Sequence, residues 1–133
     1  MAIIECTDRN GITRKFSYEY DYYKLEDQWH FRVHTIPPLK SLEFFELVVK
    51  PISPDTVQVV VIRHNYIPEY MAKGIPDALL PEVREVLCKR IVSSPGKKQG
   101  NRFRTVDAEK YWKRFYSKGL ATYDDESDIY HLV

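Results

Sequence analysis

The chain is predicted to form a mixed α/β (α+β) domain, a mostly antiparallel sheet carrying two main helices, and three features predict it. The first half alternates apolar or aromatic residues with polar ones, the period of half-buried strands. The pattern turns helical after Gly74. A second helical stripe, Ala108, Tyr111, Trp112 and Phe115, precedes a closing hairpin.

Each element follows from local chemistry. Ala2 to Thr7 reads as a short strand and Asp8 to Gly11 as a turn. Thr13 to Tyr23 sets Phe16, Tyr18, Tyr20 and Tyr22 on one face. Gln28 to Ile36 does the same with Trp29, Phe31 and Val33, leaving His30, Arg32 and His34 on the other. Pro37 and Pro38 break the chain, Leu42 to Ile52 resumes an apolar run, and Ser53-Pro54-Asp55 is turn chemistry. Thr56 to Arg63 is nearly all apolar, as expected of a covered central strand.

Ile75 to Lys89 stacks Leu79, Leu80, Val83, Val86 and Leu87 on one helical face. Pro81 is compatible with that helix if regular hydrogen bonding begins near Asp77 or later, where a missing N–H costs nothing. Arg90 to Ser94 is a short strand, and Pro95 to Arg104, rich in Gly, Lys and Gln, reads as an exposed loop. Thr105 is a plausible N-cap for the second helix, with Asp107 and Glu109 in its first turn, Lys113 and Lys118 late and Gly119 past its end. Leu120 to Val133 is a hairpin turning at Asp124 to Asp128.

A length of 133 residues is close to the commonest size of one domain, so residues 1–133 are expected to form one. The composition, 44% hydrophobic and 29% charged, is that of ordinary globular proteins. The longest apolar runs, such as Val59 to Ile62, fall far short of the ~20 residues that cross a bilayer, so no membrane span is expected. Met1 to Cys6 lacks the pattern of a secretory signal, which makes the cytoplasm the expected location. Cys6 and Cys88 show no metal-ligand spacing and read as small buried hydrophobes. His30 and His34 share a strand face but lie ~13 Å apart at ~3.3 Å per residue, so no metal site is expected. Serine-nucleophile and P-loop signatures are absent.

Net charge is +1, but its distribution is uneven. Cations crowd residues 84–118: Arg84, Lys89, Arg90, Lys97, Lys98, Arg102, Arg104, Lys110, Lys113, Arg114 and Lys118; acid follows at Asp124, Asp125, Glu126 and Asp128. Such a stretch is either a solvated helix face and loop or a positive field for an anionic partner, a nucleotide-bearing cofactor or nucleic acid.

The element order, several antiparallel strands, a long strand, a glycine turn, a helix, a strand, a second helix and a hairpin, resembles the GNAT-type acyl-CoA N-acyltransferase superfamily over roughly the C-terminal 80 residues. In that family the strand before the turn carries a bulge. The turn there reads Gln or Arg, two variable residues, Gly, one variable residue, then Gly or Ala. The matching positions are Met71, Ala72, Lys73, Gly74, Ile75 and Pro76, of which only Gly74 is kept. The resemblance implies a GNAT-like sheet, acetyl-CoA held through its pyrophosphate on the turn amides, and transfer of the acyl group to a small-molecule or peptide amine. Pro76 removes one such amide and Asp77 sets a carboxylate beside the site, while Lys73 could meet a phosphate. By the same resemblance Tyr116 is the candidate general acid, ahead of Trp112's register, and His64 or Glu69 is the candidate base.

Two other readings stand beside this one. Ala108 to Val133, an aromatic and basic helix followed by a hairpin, is similar to a winged-helix nucleic-acid-binding module, although the hairpin tip is acidic. The other is a GNAT-like domain without catalysis, acting in binding or assembly. Tyr18, Tyr20, Tyr22, Tyr23, Tyr66 and Tyr70 would suit an interface, an oligomeric one included, or equally a sheet packed on helices.

Overall fold

A computed structural model describes residues 2–96 and 104–133. Strands β1 (Ala2–Thr7), β2 (Thr13–Tyr23), β3 (Gln28–Thr35), β4 (Phe45–Ser53) and β5 (Thr56–Arg63) form an antiparallel meander. Helix α1 (Ile75–Leu87) then crosses to β6 (Arg90–Val92), which lies parallel to β5. Helix α2 (Val106–Ser117) leads into the hairpin β7 (Ala121–Asp124) and β8 (Ile129–Leu132). The eight strands run in the order β1-β2-β3-β4-β5-β6-β8-β7, mixed and mostly antiparallel as expected.

Both helices cover the same face. Leu132 borders a concavity with Arg84, Glu85 and Cys88 of α1, and Tyr130, two residues earlier and therefore on the same side of β8, stacks on Trp112 of α2 at 6.0 Å between ring centres. The face they cover carries the core: Cys6, Phe16, Phe31, Val33, Leu47, Val49, Val57 and Ile91 meet Leu79, Val83, Trp112 and Phe115. The alternate residues point away from the helices.

Two irregularities shape β5. Its partner register against β4 jumps from Val61 at Val48 to Val59 at Val49, so Val60 is an extra residue, a β-bulge. Parallel pairing with β6 stops at Gln58 and Val92; beyond it, the Ser94 hydroxyl donates to the Val59 carbonyl at 2.5 Å and takes over from the backbone ladder.

Most elements agree with their sequence patterns. Thr105 caps α2, its hydroxyl accepting from the Ala108 amide at 3.1 Å. Four expectations are corrected. The fourth strand begins at Phe45; Leu42, at φ +61°, belongs to a turn that accepts no ladder. Helix α1 starts at Ile75, which puts Pro81 in its interior and leaves the Asp77 carbonyl without the usual donor. Leu79, Leu80 and Val83, all buried around the proline, supply the packing that offsets this. Cys88 is exposed, because it forms the left-handed C-cap of α1 at φ +52°. Arg104, read as a loop residue, is buried; Lys97, Lys98 and Arg102 lie outside the described residues.

The two thiols therefore differ. Burial, with Asp77 nearby, pushes the Cys6 thiol up from 9.0 to about 12, and the thiolate is the reactive form. A thiol reagent at pH 8 is expected to titrate Cys88 alone in the native protein and both cysteines in denaturant. Because the folded value is raised, the stabilisation linked to Cys6 is complete below pH 9 and lost between pH 9 and about 12. Melting temperature in that window is expected to fall more steeply for the wild type than for Cys6→Ala.

Candidate functional site

The glycine turn after β5 is the place the sequence singles out, and its geometry is set by what surrounds it. At the end of β5, Asn65 and Tyr66 both adopt left-handed backbone, at φ +56° and +58°. The strain is held by two bonds: the Asn65 amide side chain donates to the Phe44 carbonyl at 2.8 Å, and the Tyr66 N–H donates to His64 Nδ1 at 2.9 Å. A single 3-10 turn, Pro68–Tyr70, follows. It buries Tyr70, whose hydroxyl donates to the Glu43 carbonyl at 2.8 Å.

This fixes what His64 can do. Its Nδ1 accepts from a backbone amide, so the neutral ring carries its proton on Nε2. Nε2 lies 4.0 Å from the Asp107 carboxylate in the first turn of α2. In that tautomer neither ring nitrogen offers a free lone pair to an amine. Glu69 is exposed. Tyr116 is exposed on α2, its ring edge against Tyr130 at 6.3 Å. None of the contacts that hold His64 or Tyr116 is shared between them.

Within the turn, Met71 and Ala72 are exposed, Lys73 is half-buried, and Ile75 and Pro76 are buried. Gly74 sits at φ +80° as the N-cap of α1. A Cβ there would lie 2.9 Å from the Thr7 carbonyl carbon and closer still to its oxygen. The end of β1 is thus pressed directly onto the turn, and glycine is needed both for the backbone angle and for the close approach. The second helical position, Pro76, has no N–H. Asp77 stands in the first turn and is held by Arg114 and by Lys118, the latter at 3.6 Å. The helix N-terminus already has its own carboxylate, and that carboxylate is neutralised by two cations of α2.

A buried clamp lies on the far side of α2. Arg104 forms ion pairs with Glu109 and, at 2.9 Å, with Asp128; it also donates to the Ser94 carbonyl at 2.8 Å and to the Asp128 carbonyl at 2.5 Å. Its guanidinium lies 5.0 Å above the Tyr130 ring. Burial alone would lower its pKa, but the bonds to Asp128 and Glu109 outweigh this and raise it. One side chain thereby ties β6, α2 and the β7–β8 hairpin together.

Most of the described cations of the basic segment are also engaged. Arg114 and Lys118 serve Asp77, Lys113 lies 3.8 Å from Glu109, Arg84 bonds the Val133 carbonyl and Lys89 the Pro54 carbonyl.

The open face of the sheet carries a second polar arrangement. Glu19, Arg32, Glu46 and Arg63 are direct cross-strand partners on β2, β3, β4 and β5, one row of alternating sign. Arg32 lies 3.3 Å from Glu19 and also pairs with Asp21, Glu46 pairs with Arg63, and the Tyr23 hydroxyl accepts from Arg32 at 3.0 Å. Tyr23 stacks on His30 at 4.0 Å. His30 Nε2 and His34 Nδ1 are buried without a hydrogen-bond partner. Among the described residues no group of His, Cys, Asp or Glu could hold a metal ion, and no helix is long and apolar enough to cross a membrane.

Two of these features could have been read earlier. Arg114 and Lys118 are four residues apart on one helix face, a spacing able to grip one carboxylate, and the polar alternates of β2 to β5 announce a charged face. The approach of Thr7 to Gly74, 67 residues away in sequence, left no signal. Comparisons with protein-family models, with characterised proteins and with solved structures find no match.

Proposed function

We propose that this chain is a GNAT-like binding and assembly module whose acyl-CoA cradle is closed. Support for the GNAT-like part comes from the order of elements through β5, the glycine turn, α1, β6, α2 and the hairpin, and from the bulge at Val60 in the strand before the turn. The loss of the cradle rests on one observation, the occupied N-terminus of α1. A diphosphate needs convergent amides and open space in front of them. Here β1 abuts Gly74, Pro76 withholds a donor, and Asp77 with Arg114 and Lys118 fills the electrostatic role a phosphate would play.

Catalysis by this arrangement would also lack its partners. The Nδ1 lone pair of His64 is engaged by the Tyr66 amide, and Tyr116 is exposed with its ring edge toward Tyr130. The same ion pairs weigh against nucleic-acid binding through residues 84–118, because a cation committed to Asp77 or Glu109 releases fewer counterions on meeting a phosphate.

Thermal melting with acetyl-CoA and with free CoA tests the reading. A ligand at one hundred times its dissociation constant stabilises by about 2.7 kcal/mol, roughly 8–12 °C for a domain of this size. The expected result is an unchanged melting temperature at millimolar ligand. A rise of several degrees with either compound would restore the transferase reading, with an amine as the acceptor.

A further inference from the structure

We infer that the helix-free face of the sheet is where two copies of this chain meet, with the strands of the two sheets aligned and the Glu19-Arg32-Glu46-Arg63 row of one copy lying across the same row of the other. The inference rests on the assembly reading above and supplies its partner. The argument is one of charge complementarity. From β2 to β5 the row reads minus, plus, minus, plus. A two-fold axis running along the strands, between β3 and β4, reverses that order in the second copy. Glu19 then faces Arg63 of the second copy, Arg32 faces its Glu46, and both contacts occur twice, as an isologous interface requires. A row of one sign, or an order such as minus, plus, plus, minus, would repel itself under the same operation.

Exposure is arranged to match. The two ends of the row are the open ones: the Glu19 side chain is 61% exposed and that of Arg63 58%, while Arg32 and Glu46 at its centre are 15% and 11% exposed. The two most exposed side chains of the row, each already paired within its own sheet, are therefore the two that the axis brings together. In the neighbouring row on the same face, Val61 stands half-buried next to Val48, which is itself buried, and Tyr23-stacked His30. Aligned sheets cross at about −30°, an offset that long Arg and Glu side chains span. The covered area is small. Four strands at about 4.8 Å and about 26 Å of strand length give about 500 Å² per copy, or about 1,000 Å² in all, the lower limit for a specific interface. A weak, salt-sensitive dimer is the expectation.

Sedimentation velocity from about 10 to 500 µM, in low salt, without acyl-CoA, tests this. The mass is expected to rise from that of the 15.8 kDa monomer toward twice that value, and less so in 0.5 M salt. Glu19→Arg and Arg63→Glu are each expected to weaken self-association at least tenfold, since each sets like charges face to face. An equimolar mixture of these two variants is expected to recover wild-type association as a heterodimer, because the Arg at one 19 then meets the Glu at the other 63. Circular dichroism confirms that each variant is folded, and Glu19→Gln and Arg63→Gln serve if either is not, with a smaller loss expected. A wild type that stays monomeric throughout would overturn the inference and leave the closed cradle untouched. Association unaffected by both substitutions, or not recovered on mixing, would overturn it too. Binding of acyl-CoA would instead remove the reading of the turn while leaving the dimer standing.

Discussion

Gly74→Ala is expected to lower stability by roughly 3–4 kcal/mol, about 10–15 °C in melting temperature at this chain length. Two costs add. A residue with a Cβ at φ +80° carries the left-handed penalty of about 1–2 kcal/mol. The new methyl must also displace the end of β1, whose Thr7 carbonyl occupies its place, with a strain of about 1–3 kcal/mol typical of overpacking. Gly11 separates the two. It has nearly the same backbone angle, φ +81°, with nothing within 4 Å of an added Cβ, so Gly11→Ala is expected to show the conformational cost alone. Urea unfolding of the two variants measures the difference. Equal losses would mean that Thr7 does not bear on the turn.

The second large effect is expected at Arg104. Replacing it with methionine keeps most of the volume and leaves Glu109, Asp128, the Ser93 hydroxyl and the Ser94 carbonyl without a shared donor in a nearly closed site. Removing one member of a buried ion pair typically costs about 3–5 kcal/mol, and Arg104, with a 3% exposed side chain, belongs in that range. Arg104→Lys is expected to recover less than half of the loss. An ammonium keeps the charge but cannot reach Glu109, Asp128 and the Ser94 carbonyl together, as the planar fork does. Denaturant midpoints of both variants check this, and a lysine variant as stable as the wild type would show that charge alone matters there.

These two residues also mark how far the sequence could be read. Residues whose role is decided by neighbours along the chain were legible. The Leu79-Leu80-Val83 face, the Thr105 cap and the alternation of β2 and β3 all follow from period and local hydrogen bonding, and each lies where its pattern puts it. Pro81 was misjudged because local propensity counts the missing bond but not the core that compensates for it. Cys88 was misjudged because a small apolar side chain says nothing about the left-handed cap that turns it outward. Gly74 was singled out correctly as special, yet glycine permits both a ligand and a strand to come close, and only the fold shows that β1 is the visitor. Arg104 was hidden for a similar reason. It ends a Gly- and Lys-rich stretch, and the acids and carbonyls that bury it come from α2, β6 and the β7–β8 hairpin. The candidate site suffered most, since Asp77 meets Arg114, 37 residues away, and Lys118, further still, only through tertiary packing.

The central claim is that the amides at the start of α1 are closed to a diphosphate. Amide NMR of the labelled protein during addition of acetyl-CoA reads those groups directly. The account predicts that the Gly74, Ile75 and Asp77 resonances hold their positions up to millimolar acetyl-CoA; a saturable shift of these amides, above all downfield movement of Gly74 and Ile75, would contradict it.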